Sequence, residues 1–274
     1  MRARGLVAEL DRLPPLGVNY AESEAPRGPG DPGWHVDLAR AELGTEPPGD
    51  PVPGGIFEAA CVLVRDYEFS DHRLIRGVFR PADELLGRNM LLEGRFLFLR
   101  FYLGVRVTGV LEGTRDGPDG PQRVWGWTYR TLDGHLEQGK LTYEVVKDLT
   151  TGVVAFRIDA YSRRAPIRNP VLRAGFRVFG RRTQLDFYRR VGRRMHDLLA
   201  GHRPGDPLPH PTRLAGDVVL APSQSRMRPW DPIALPLRHP GVHVHQHRTS
   251  VGRRGRARRP TTVVSRRAGT TDRA

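Results

Sequence analysis

His135 and Glu137 lie two residues apart in the run TLDGHLEQG at 131–139, and both can move protons. An imidazole titrates near neutrality, and a nearby carboxylate can orient it or share its proton, so the pair could act as general base or acid. Arg163 could hold an anionic substrate beside them, because its planar guanidinium matches carboxylate and phosphate groups. Trp127, Tyr129, Thr131, Tyr143 and Tyr161 add aromatic and hydroxyl surface of the kind that lines a mostly apolar ligand cavity. The competing role for each of these residues is structural. Trp and Tyr would then pack a core under a helix, while His135 and Glu137 would brace a hairpin by bonding backbone groups.

Strands must position these groups. Trp125, Trp127, Tyr129 and Thr131 alternate with Val124, Gly126, Thr128, Arg130 and Leu132, which is the period of an extended chain. Asp133-Gly134 suits a tight turn, and Leu141, Tyr143 and Val145 resume the alternation. After the turn formers of 148–152, Val154, Phe156, Ile158, Ala160 and Ser162 oppose Arg157, Asp159 and Tyr161. Three strands joined by short turns predict an antiparallel meander.

A long helix should follow. Asn169 and Pro170 supply an N-cap and a first-turn proline, and Leu172, Phe176, Phe179, Phe187, Val191, Met195 and Leu198 recur at steps near three or four. Eight arginines between 173 and 194 occupy its remaining surface, which suits an amphipathic helix covering a sheet with its basic face in water. The alternative is an anionic partner, RNA or acidic lipid, although no RNA-module motif accompanies the arginines.

Upstream, Leu6, Val7, Leu10 and Leu13 predict a short docking helix, and the density of Pro and Gly from 21 to 55 argues against long regular elements. Phe57, Ala60, Cys61 and Val64 share a helix face that ends near Asp66, making Cys61 a buried thiol rather than a nucleophile. An extended segment at 67–80, a polar loop at 81–87 and two strands at 96–103 and 105–111 should follow, with Arg100 and Arg106 solvated or paired with carboxylates. TRDGPDGP at 114–121 reads as a loop. Residues 1–55 are thus an arm and Pro/Gly-rich loop packed on a domain at 56–200, and 201–274 a disordered basic tail.

The chain of 274 residues, 38% apolar, can bury a core. Its net charge of +14 sits mainly in 201–274, which holds fourteen arginines against four aspartates. Only Lys140 and Lys147 are lysines, a bias better explained by GC-rich coding than by phosphate recognition. A single cysteine excludes intrachain disulfides and thiolate-rich metal sites. The alternating His243, His245 and His247 lack supporting neighbours, so no metal or cofactor is expected. No apolar run approaches a membrane span and no secretory leader is evident, which makes a cytoplasmic location the expectation.

WGWTYRTLDGHLEQGKLTYEV, then FRIDAYSRRA, then GRRTQLDFYRRVGRRM resemble the bacterial family catalogued as domain of unknown function nineteen-ninety. Its hallmark is a strand entering a Thr-Leu-x-Gly-His-x-Glu-x-Gly loop, matched at 131–139, and a Ser-Arg pair before the last helix, matched at Ser162-Arg163. The resemblance covers roughly 15 to 197 and departs at the 21–55 insertion and at Lys140, where an acidic residue is expected. It implies a START-like, polyketide-cyclase-like (SRPBCC) α+β fold, in which a curved antiparallel sheet grips a long C-terminal helix around a cavity. The leading functional expectation is a binder of a small apolar or lipid-like molecule, with Trp127, Tyr129, Thr131, Tyr143 and Tyr161 in its cavity and His135, Glu137 and Arg163 at its polar end. The alternatives are an enzyme of polyketide-cyclase-like type using His135 and Glu137, and a nucleic-acid or anionic-surface accessory protein using the arginines.

Overall fold

The structure, a computed structural model, describes residues 3–96, 99–118, 120–166, 170–225 and 236–237. Contacts group Met1–Val242 into one compact unit, and 243–274, including the three tail histidines, lie outside the described residues. The elements in chain order are α1 (Ala3–Leu10), β1 (His35–Thr45), α2 (Ile56–Arg65), β2 (Ile75–Phe79), β3 (Asn89–Phe96), β4 (Leu99–Gly117), β5 (Gly120–Thr131), β6 (Glu137–Asp148), β7 (Val153–Arg164), α3 (Pro170–Leu199), β8 (Thr212–Ala215), β9 (Val218–Ala221) and β10 (Pro236–Leu237). Nine strands form an antiparallel path in the order β1-β7-β6-β5-β4-β3-β2-β9-β8, and β10 pairs parallel with β4 off that path.

This is the helix-grip architecture expected. One face of the sheet carries the main core, in which Trp127, Tyr143, Val145, Phe156 and Ile158 meet Leu63 and Val64 of α2 and Phe187, Val191 and Met195 of α3. A smaller core lies on the outer face, where Leu6 and Leu10 of α1 cover Val78, Leu91, Val218 and Leu220. The β5-β6-β7 meander and the Cys61 helix form as predicted. The expected N-cap Asn169 and the side chains of Leu172, Phe176, Phe179, Arg173, Arg177 and Arg182 lie outside the described residues.

Four expectations need correction. Residues 35–45 belong to the sheet as β1, paired along β7, rather than to a loop, because the Pro/Gly density pauses between Gly33 and Gly44 and HVDLARAEL is free of both. The two runs around Gly104 are one 19-residue strand, and only a short turn separates β4 from β5, so most of TRDGPDGP is paired. Asn89–Phe96 is a further strand, while the segment at 67–80 is extended only from Ile75. The tail does not begin at 201. TRLA and VVLA form a hairpin about Gly216-Asp217, and β9 pairs with β2. Tertiary pairing outweighs local composition in each case.

Arg100 is buried against Glu93, which also receives Arg76. Arg106 donates to Asn89 and to the carbonyls of Leu13 and Pro14.

Candidate functional site

Strand periodicity and register decide which side chains share a face. On β6, Glu137, Gly139, Leu141, Tyr143 and Val145 point one way. The ladder sets Tyr129 beside Leu141, Trp127 beside Tyr143, Leu141 beside Ala160, and Ala160 beside Asp37. Tyr143, Val145 and Ile158 belong to the core under α3, so Glu137 and Asp37 face that helix as well.

The aromatic centre of this face is tightly packed. Trp127 is fully buried and its indole N–H donates to the Val64 carbonyl at 3.1 Å. Tyr143 lies with ring centroids 5.1 Å from Trp127 and 4.4 Å from Phe69. The phenols of Tyr67, Tyr129 and Tyr143 interact electrostatically, and burial drives all three upward. Tyr143 is a hydrogen-bonding neighbour to both Tyr67 and Tyr129, Tyr67 also neighbours Ser70, and Tyr188 neighbours Gln184.

Polar groups gather at one end of the face. Arg181 of α3 grips both oxygens of Asp37, and its Nη1 also donates to Gln184 at 3.0 Å. Gln184 in turn donates to Ser162 Oγ at 3.0 Å. The Glu137 carboxyl makes no hydrogen bond among the described residues and keeps part of its surface accessible. Burial raises it to about 7, with Arg181 pulling it down and Asp37 pushing it up. A carboxyl that protein surrounds and nothing ligates can bind or release a proton near neutrality. Tyr188 senses Asp37, Glu137 and Arg181, which joins it to the same cluster.

His135 plays a different part. Its Nδ1 accepts the Glu137 backbone N–H at 2.9 Å rather than meeting the Glu137 carboxyl, and burial lowers the imidazole to about 4. It is therefore neutral and braces the turn. Thr131 does likewise: its hydroxyl donates to Asn19 Oδ1 at 2.7 Å and accepts the Gly139 N–H at 2.9 Å. Asn19 donates to the Glu137 carbonyl at 2.9 Å. The two glycines of the hallmark loop have separate reasons. Gly134 takes φ +89°, and a Cβ at Gly139 would lie 2.3 Å from the Tyr161 carbonyl oxygen.

Tyr161 and Arg163 are not brought to this site. They lie on the opposite face of β7, where Tyr161 pairs its hydroxyl with Tyr20 at 3.0 Å and Arg163 stacks 4.4 Å over Trp34 while bonding Gln138 and Glu24. Lys140 joins them, 5.9 Å over Tyr161, so its departure from the family pattern falls on the outer face.

A cleft of about 400 Å³ opens between α3 and the β1–β7 edge, walled by Ala39, Ala41, Phe156, Ile158 and Tyr188. Much of the basic surface of α3 is already paired: Arg190 meets Asp186 and Asp71, and Arg194 donates to the Glu68 carbonyl. The sequence reading missed Asp37, Tyr67, Arg181 and Tyr188. Helical spacing with Val191 and Met195 could have found Tyr188, whereas Asp37 and Arg181 become partners only through the β1–β7 pairing.

The family model described as Domain of unknown function (DUF1990) matches residues 19–194. The chain belongs to this family. The DUF1990 match starts at Asn19, which ties down the Glu137 turn, and ends within α3; α1 and the β8–β9 hairpin lie outside it. Among solved structures, the chain is similar to the major latex-like protein 151 of Panax ginseng at 12% identity, covering 60% of this chain and 97% of that one with a TM-score of 0.37. It is similar also to a point mutant of norcoclaurine synthase from Thalictrum flavum in complex with a transition state analogue, at 9% identity, covering 62% and 96% with a TM-score of 0.38. No curated protein sequence matches the chain. Among the described residues, no helix is long and apolar enough to cross a membrane.

Proposed function

We propose that this DUF1990 protein binds a small, mostly apolar molecule between the sheet and α3. The observation that carries the reading is the cleft of about 400 Å³ under α3, whose wall of Ala39, Ala41, Phe156 and Ile158 is apolar and is bordered by Tyr188. Ligand sites are concave and mostly apolar with a few polar groups beside the wall, and a phenol at such a wall is suited to a ligand's oxygen or nitrogen. Trp127, Tyr129 and Tyr143 pack in the core under α3, while Thr131 and His135 hold the 131–139 turn in shape. Tyr161 and Arg163 serve the outer face.

The test is native mass spectrometry of protein purified from its own host, followed by organic extraction. A copurifying apolar molecule that is lost on Ile158→Trp, which fills the cleft, supports the reading. An empty wild-type protein that also fails to bind a panel of apolar dyes overturns it. A cytoplasmic location, checked by cell fractionation, belongs to the same proposal.

One observation favours a second reading, catalysis. The unligated Glu137 carboxyl, titrating near neutrality, could transfer a proton to or from a bound molecule without His135. Conversion of the extracted molecule by wild type but not by Glu137→Gln, with binding intact, assigns that chemistry; equal conversion removes it.

A further inference from the structure

We infer that the molecule taken by the α3–β1 cleft is a single-tailed anionic amphiphile, its chain against the apolar wall and its charged group on the α3 side; this rests on reading the cleft as a ligand site. Charge placement carries the argument. The wall is made of Ala39, Ala41, Phe156 and Ile158, whereas the α3 side of the cleft carries Arg189 and Arg193. Arg193 has no carboxylate partner among the described residues. Arg189 reaches Asp186 only at 3.6 Å and its side chain is 71% exposed. By contrast, Arg181, Arg190 and Arg194, on other parts of the same helix, each have an acidic or carbonyl partner. Two exposed cations of α3, one weakly paired and one unpaired among the described residues, therefore border a cleft whose wall is apolar.

Physical chemistry selects the ligand class. A neutral hydrocarbon would use the wall and ignore the arginines, and a compact polyanion would use the arginines and leave the wall wet. Only a molecule with both parts satisfies both, burying methylenes at about 0.8 kcal/mol each while its anion meets exposed guanidiniums in high dielectric. The volume of about 400 Å³ lies near the low end for ligand sites and suits one chain. Gly192 keeps the helix close enough to grip it, since a Cβ there would lie 3.0 Å from that of Ala41. Fatty carboxylates and alkyl phosphates share this chemistry.

The experiment titrates the full chain with dodecanoate, dodecyl phosphate and dodecan-1-ol by calorimetry. Dodecanoate or dodecyl phosphate should bind roughly tenfold more tightly than the alcohol, as expected of two exposed charge contacts. The Arg189→Gln/Arg193→Gln double variant should bring that ratio near one with alcohol binding unchanged, and raising salt from about 50 to about 500 mM should do much the same. Whichever anion is preferred names the source. Equal binding of anions and alcohol, or full anion binding by the double variant, overturns the inference while leaving an apolar binder standing. Failure of all three probes, together with an empty protein from the host, overturns both.

Discussion

The Lys147 ammonium lies 2.8 Å from Glu46 Oε2 with both side chains buried, and the same carboxylate accepts the backbone N–H groups of Val52 and Phe57. Gly55 caps α2 without a side chain, so Glu46 satisfies a free N–H at the helix start while Lys147 neutralises it. Burial alone would raise the Glu46 carboxyl, but the hydrogen bonds from Lys147, Phe57 and Val52 together hold it below its usual value. Lys147→Met should therefore cost about 3–5 kcal/mol in urea denaturation, because it strands a buried carboxylate. Adding Glu46→Gln should recover part of the loss, and additive losses would count against the pairing. Glu46 contributes stability that is present above its unfolded value and lost as pH falls through its depressed folded value.

His135 and Glu137 should pull stability in opposite directions with pH. The unfolded imidazole gains a proton at 6.5 and the folded one only at about 4, so stability falls as pH drops through that window. The folded Glu137 carboxyl keeps its proton up to about 7, whereas the unfolded one releases it at 4.5, so stability falls as pH rises across that range. The two slopes oppose each other where the windows overlap. Glu137→Gln should expose the His135 slope and stabilise the protein by about 1–2 kcal/mol above pH 7, after allowance for partial solvation. His135→Ala should cost about 1 kcal/mol and leave the Glu137 slope. Chemical denaturation across this pH range checks both, and identical pH profiles in the two variants would refute the assignment.

Truncation tests the domain limit. Val218 and Leu220 are buried under α1, and β9 completes the pairing of β2. A chain ending at Ala200 should lose about 3 kcal/mol or more, roughly the burial of two aliphatic side chains. One ending at Leu237 should melt close to the full chain. Equal melting of the two truncations would show that the hairpin contributes nothing.

Much of the site's frame was legible because strand periodicity is local. Alternation at 124–132, 141–146 and 154–162 identified the meander, and the stepped apolar residues from Phe187 to Met195 identified the gripping helix. What was lost lay in stretches of mixed composition. β1 sits behind a Pro/Gly-rich run, and the β8–β9 hairpin lies in an arginine- and proline-rich tail, so averaging over neighbours concealed both.

By itself the sequence determined the α+β class, the order of strands then helix, and a turn at 131–139 whose glycines answer to a positive φ and a close backbone approach. Only the tertiary structure decided what the polar residues around that turn do. His135 and Glu137 are neighbours in sequence, yet one ring bonds backbone while the other side chain faces α3. Tyr143 and Tyr161 are both cavity candidates by residue type, yet they sit on opposite faces of the sheet. The reason is that a face is defined by what packs on it. The partners that decide the matter, Asp37 with Arg181 and Tyr20 with Tyr161, are more than a hundred residues apart and meet only when β1 pairs with β7.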